Sequence, residues 1–164
     1  MKLKNKNIWS VVMMALIIAF DQTTKYLAKS FLYPDKAVSF IDGFVEFRYA
    51  ENTGVAFSMF SGGRIIFILV TAAVMIGIIY YMYVKAQKEL WLYWTLGVIV
   101  AGAAGNLIDR IFLGYVIDFI NPTFVNFAVF NIADCAVTLG TISLIAYLVY
   151  DMFKGRNKKE SRDE

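Results

Sequence analysis

Four stretches of this chain run apolar for close to the length that crosses a bilayer, and its polar residues collect between them. The first covers residues 8–29. It is free of charge from Ile8 to Phe20, and Asp21 and Lys25 then continue the helical pattern four residues apart. The second, residues 65–84, carries no charged residue. The third, 90–110, opens on Trp91, Tyr93 and Trp94, and the fourth covers 131–150. About 20 apolar residues are what a helix needs to span the hydrocarbon core, and aromatic residues at a span's end suit the lipid–water boundary. The basic start MKLKNKN resembles that of a secretory signal, but no small-x-small cleavage site follows, so it is read as the start of an uncleaved first span. Residues 36–60 have a different rhythm. Aromatic and β-branched residues alternate loosely with polar ones around Asp42-Gly43, a hairpin-turn signal. Asn52 and Gly54 then bracket a second turn. The polar tail, about 154–164, is read as disordered. The expected architecture is one mainly α membrane domain over residues 1–164, with four transmembrane helices and a small extracytoplasmic β-sheet between helices 1 and 2.

Composition sharpens this picture and removes several chemistries. Hydrophobic residues make up 59% of the 164 positions, above the usual soluble fraction. There is no histidine, which removes serine–histidine and cysteine–histidine catalysis and the commonest zinc ligand. The single cysteine, Cys135, stands among apolar residues and reads as a packing residue rather than a nucleophile. The net charge of +3 comes with no basic and aromatic stripe, so no nucleic-acid partner is expected. The cations sort by side instead. Lys2, Lys4 and Lys6 precede the first span, Lys85 and Lys88 separate the second from the third, and Lys154, Arg156, Lys158 and Lys159 follow the fourth. The positive-inside rule places all three regions, and hence both termini, in the cytoplasm.

That topology brings scattered polar residues to one surface. Asp21 and Lys25 lie at the outer end of the first span, and Asn52 lies just before the second. Asn106, Asp109 and Arg110 end the third, and Asn131 and Asp134 begin the fourth. Polar and ionisable groups at such positions are costly and mark function by default. Taken singly, each has an ordinary explanation. Asp134 suits the first turn of a helix whose N-cap is Asn131, and Asp118 suits a connecting loop beside Arg110. As a pair, Asp118 and Asp134 suggest more. Two carboxylates held close cannot both ionise easily, so one can take a proton from water while the other polarises a carbonyl. That is peptide hydrolysis without a metal or cofactor. A carrier using Asp109, Asp118 and Asp134 would need polar groups at several depths, and the acids cluster at one side. A purely structural subunit leaves the clustering of amides and acids without a reason.

These residues resemble the motifs of the lipoprotein signal peptidase family, signal peptidase II, over nearly the whole chain. Asp21-Gln22-Thr23-Thr24-Lys25 is similar to its first motif, and Asn52-Thr53-Gly54-Val55-Ala56-Phe57 to its N-x-G-x-A-F turn. GAAGNLIDR, ending at Arg110, is similar to the third, GYVIDF with Asp118 to the fourth, and Phe130-Asn131-Ile132-Ala133-Asp134 to the last. Phe127-Ala128 stand where the family often has Trp-Pro. The resemblance implies an aspartic endopeptidase, sensitive to globomycin, in the bacterial plasma membrane with its active site at the outer leaflet. It would cleave a prolipoprotein just before a diacylglyceryl-modified cysteine. It implies Asp118 and Asp134 as the catalytic pair. Asn52, Gly54, Asn106, Asp109, Arg110 and Asn131 would hold substrate or orient the acids, and Asp21 and Lys25 would support the helix packing. The expected partners are the lipidated precursor and membrane lipid, with the enzyme a monomer.

Overall fold

A computed structural model describes residues 3–54 and 63–163, with side chains over 5–54 and 64–154. Four helices carry the chain: α1 (Leu3–Leu32), α2 (Gly63–Val84), α3 (Leu90–Phe112) and α4 (Ile132–Asp163), with a single 3-10 turn, Ala86–Lys88, linking α2 to α3. All four are long and apolar enough to cross a membrane. The polar tail does not end α4 as expected; the helix runs on to Asp163. Lysine, arginine and glutamate are good helix formers, and extending a helix already nucleated costs far less than starting one.

α3 is the hub. Half of its span is buried, against 6% of that of α2, and it packs on each of the other three helices. Small residues make this possible. A Cβ on Gly102 would stand 2.5 Å from the Ala133 carbonyl oxygen of α4, and one on Gly105 would stand 2.5 Å from Asp21 Oδ2 of α1. The second contact sets up a prediction, because the Asp21 carboxylate is itself pinned on both sides. Gly105→Ala overpacks this crossing, and such overpacking costs roughly 1–3 kcal/mol. The unfolding midpoint in detergent should fall by several degrees, at about 2–4 °C per kcal/mol for a chain of this size. An unchanged midpoint would mean that α1 and α3 have slack there.

The expected sheet is present, and it has a strand that the sequence reading did not assign. β1 (Ala37–Ile41) and β2 (Val45–Asn52) form an antiparallel hairpin through Asp42-Gly43, with Gly43 at φ +75°. The connection between α3 and α4 then supplies β3 (Val116–Pro122), which pairs antiparallel with β2 to give the order β1-β2-β3. Alternation along the strand divides its side chains. Ile117 and Phe119 join Tyr49 in a cluster on Ala28 and Leu32 of α1, while Asp118 turns to the other face. A second apolar cluster, built on Met82, Tyr93, Leu96 and Tyr147, closes the bundle around the α2–α3 turn.

Candidate active site

The site is assembled where α1, α3, α4 and the sheet meet, and Lys25 is its buried cation. This lysine is 1% exposed and spends its ammonium on three acceptors: Asp21 Oδ2 at 2.8 Å, Asp109 Oδ2 at 2.9 Å and Asn106 Oδ1 at 2.9 Å. The spacing Asp21–Lys25 puts both on one face of α1, and helix packing turns that face inward. The other carboxylate atoms of the two acids are also engaged. Asp21 Oδ1 accepts the Ala133 N–H of the first turn of α4 at 2.8 Å. Asp109 accepts the Gln22 side chain at 2.9 Å and the Ile117 N–H of β3 at 3.1 Å. One buried cation thus ties α1 to α3, and its two acids tie α4 and β3 to the same point. Burying an ion pair is costly, and the additional hydrogen bonds to both carboxylates are what make it tolerable.

Asn106 carries this order outward. Its oxygen faces Lys25, which turns its amide nitrogen toward Asp134 Oδ1 at 2.7 Å. Asn131 caps α4. Its Oδ1 accepts the Asp134 N–H at 2.9 Å, and its own N–H reaches Asp134 Oδ2 at 3.2 Å, a reciprocal capping box. Its amide nitrogen donates to Asp118 Oδ1 at 2.6 Å and to Asn106 Oδ1 at 3.1 Å. Asn52, at the end of β2, donates to Asp118 Oδ2 at 2.9 Å, and the Gly54 N–H closes back on Asn52 Oδ1 at 2.9 Å with Gly54 at φ +69°. The structure therefore brings Asp118 and Asp134 to opposite ends of one short amide relay. Val55, Ala56 and Phe57, the rest of the second motif, lie outside the described residues.

The four acids divide into two kinds. Asp21 and Asp109 form ion pairs, whereas among the described residues the hydrogen bonds to Asp118 and Asp134 come from neutral N–H donors. Asp118 is 1% exposed, and its pKa is raised to about 6. Burial is the chief cause, and the charge of Asp134 adds to it. The amides of Asn52 and Asn131, together with Lys25, pull the other way. Asp134 lies on the wall of a groove of about 550 Å³, with Asn52 beside it and the 127–130 segment across from α4. Asp118 stands behind Asn52 and Asn131.

Arg110 sits differently from the loop-acid pairing considered above. Its guanidinium lies over the Phe67 ring of α2, 4.7 Å from the centroid, and donates to the Asn106 carbonyl at 3.2 Å. Arg64 answers from α2, donating to the Arg110 and Ile111 carbonyls at 2.9 Å each and so capping the C-terminal end of α3. Gly114, at φ +92°, leaves room for it, since a Cβ there would fall 2.9 Å from Arg64 Nη1. Sequence reasoning gave no role to Arg64 or to Gln22. Gln22 lay inside a quoted motif, and Arg64 had the signal of a cation at the start of the helix following the Gly54 turn. The Phe127-Ala128 departure leaves the last turn closed: Phe130 bridges Ile120 of β3 through hydrogen bonds of 2.8 and 3.0 Å, and the Phe127 ring rests edge-on against it.

Comparison with known proteins agrees with this fold. Residues 13–150 match the family described as signal peptidase (SPase) II. The lipoprotein signal peptidase of Caldanaerobacter subterraneus subsp. tengcongensis is 42% identical over 89% of this chain and 97% of its own length. That of Enterococcus faecalis is 38% identical over 84% and 85%. A bacterial membrane enzyme solved by the in meso method at 1.9 Å superposes with a TM-score of 0.82 at 32% identity, over 87% of this chain and 93% of that one. With a family match over most of the chain, relatives above 30% identity along nearly their whole length and a solved membrane enzyme of the same fold, the chain belongs to the signal peptidase II family of membrane peptidases.

Proposed function

We propose that this chain is an aspartic endopeptidase that removes the signal peptide of a lipoprotein precursor on the N-terminal side of its diacylglyceryl-modified cysteine. The observation that carries the reading is the division of the acids: two are ion-paired with Lys25, while the other two accept hydrogen bonds from neutral N–H groups among the described residues and are joined through Asn106 and Asn131. In the working state the pair shares one proton. The ionised carboxylate takes a proton from water as its oxygen attacks the scissile carbonyl, and the protonated one donates to the carbonyl oxygen. Collapse of the tetrahedral intermediate breaks the C–N bond, and the proton taken from water passes to the leaving amine. No bond to the protein forms, which suits a chain without a histidine to activate a nucleophile. Asn52, Asn106 and Asn131 keep the two acids oriented. Gly54 fixes the Asn52 side chain through its N–H, Arg110 places its charge near Asp134 and Asp118, and Asp109 acts from behind through Lys25.

The proposed orientation follows from charge. With the lysine-rich ends in the cytoplasm of a bacterial plasma membrane, the acids stand at the outer leaflet, where the cleavage site of a signal helix emerges. Globomycin sensitivity and a monomeric state belong to the same reading. It is tested by incubating the purified protein, reconstituted in lipid, with a diacylglyceryl-modified precursor and with the same precursor unmodified. A mobility shift for the first alone, with a product beginning at the modified cysteine, is expected. Cleavage at another bond, or of both precursors equally, would overturn the reading.

The pH dependence has a defined sign. Because Asp118 is raised to about 6, the shared proton is lost as pH rises through that value. On the alkaline side kcat/KM, which reports the free enzyme, should fall about ten-fold per pH unit. Asn52→Ala removes a donor that favours the ionised form of Asp118, so the alkaline limb should move to higher pH, whatever the loss in rate. A limb that stays in place would separate Asn52 from the titration of Asp118.

A further inference from the structure

The last turn of α3 leaves carbonyls without partners inside the helix, and the way they are satisfied shapes the turn that leads to Asp118. The Asp109 carbonyl accepts the Leu113 and Gly114 N–H groups, at 2.7 and 3.2 Å. The next two carbonyls, of Arg110 and Ile111, accept a side chain from another helix. Arg64 of α2 offers them Nε and Nη2, at 2.9 Å each. Two N–H groups fixed in one plane meet two successive carbonyls, which a guanidinium can do and an ammonium cannot. Phe67 stands three residues further along α2, so it shares the face of Arg64. Its ring lies under the Arg110 guanidinium, 4.7 Å from centroid to Cζ. α2 therefore holds Arg110 twice, by its carbonyl through Arg64 and by its side chain through Phe67. The rest of α2 adds little restraint, since it packs mainly on α3 and only 6% of its span is buried.

Resting on the function proposed above, we infer that Arg64 is a positioning residue for the reaction: it ties the start of α2 to the end of α3 so that Phe67 holds the Arg110 guanidinium beside the two acids. The charges that face Arg110 are Asp109 on its own helix, Asp118 of β3 and Asp134 of α4. Arg64 stands behind it on α2, and Lys25 of α1 also acts on Asp118. A cation held near Asp118 favours its ionised form. When the tie is cut, Phe67 is free to move with α2 and Arg110 loses its support. Asp118 then keeps its proton to higher pH. A unit charge displaced by a few ångströms in a partly exposed site changes a neighbouring carboxyl by about half a pH unit, or about three-fold in proton affinity. A residue that only capped α3 would alter stability and leave this titration where it was.

Two measurements test this on the full chain reconstituted in phospholipid. The first is the alkaline limb of kcat/KM for Arg64→Gln, Arg110→Gln and the double variant. Arg64→Gln should move the limb up by about half a pH unit, and Arg110→Gln should move it at least as far. The double variant should match Arg110→Gln, because a residue that acts through Arg110 has nothing left to position. An unmoved limb in Arg64→Gln would make Arg64 a cap alone and overturn the proposal. Shifts that add in full would mean that Arg64 acts by its own charge, which overturns it equally. Arg64→Lys keeps the charge without the fork, so it should move the limb in the same direction, and it carries the comparison if Arg64→Gln does not fold. A wild-type limb in Arg64→Lys would again assign the effect to charge. The second measurement needs no turnover. The infrared C=O band of protonated Asp118 is titrated in each variant, with Asp118→Asn as the blank, and its midpoint should follow the same order. If the wild-type protein cleaved no precursor, the peptidase reading would fail by itself, and these midpoints would still decide whether Arg64 acts on Asp118 through Arg110.

Discussion

Asp118→Asn and Asp134→Asn should each lower cleavage of the lipid-modified precursor by about 10³-fold or more, equivalent to at least about 4 kcal/mol of lost transition-state stabilisation. Neither should unfold the protein. Asp118 receives two N–H groups, from Asn52 and Asn131, and an asparagine oxygen can accept one of them. The other donor would meet an NH₂ group, a local conflict worth about 1 kcal/mol. Replacing Asp118 also removes a carboxylate that is buried at a site raising its pKa, so the two effects partly offset. At Asp134 the substitution weakens the capping box and the Asn106 contact by a similar amount. The double variant should be hardly slower than either single one, because acids that share one proton act as a unit. Near-normal turnover by either single variant, with the fold intact, would remove the two-acid mechanism.

The sequence made the helices legible because membrane spans are its strongest local signal: residues 65–84 carry no charge, and nothing soluble needs such a run. It also made the convergence of Asp21, Asn106, Asn131 and Asp134 legible, since span direction alone sets the end at which each one stands. β3 was hidden for a physical reason. Val116, Ile117 and Phe119 are all buried around Asp118, so the segment shows no alternation of polar and apolar residues, and pairing with β2 from a distant part of the chain decides its conformation. The division of labour among the acids was hidden too. Asp109 and Asp118 look alike in a sequence, and only the fold reveals that Lys25 reaches one and leaves the other to amides. The same holds for Arg64, whose acceptors are carbonyls at the end of a helix far along the chain.

Lys25→Met should cost roughly 3–5 kcal/mol, the range for removing one partner of a buried ion pair, and the largest stability effect expected of any single change in this site. The methionine fills much the same space, so the loss is electrostatic. Asp21 and Asp109, 1% and 2% exposed, would be left with uncompensated charge, and Asn106 would lose the donor that orients its amide toward Asp134. At about 2–4 °C per kcal/mol, the unfolding midpoint should fall by roughly 6–20 °C, and cleavage should be lost with it. The triple variant Lys25→Met, Asp21→Asn, Asp109→Asn separates the two consequences. Neutral amides can still accept the Ala133 and Ile117 N–H groups, so about half or more of the lost midpoint should return. Activity should not return, because Asn106 Oδ1 then keeps only the longer contact from Asn131 Nδ2, at 3.1 Å, and loses the cationic donor that holds its nitrogen on Asp134. A midpoint that stays low in the triple variant would mean that Lys25 acts through shape rather than charge. Restored cleavage would mean that Asn106 orients Asp134 without it.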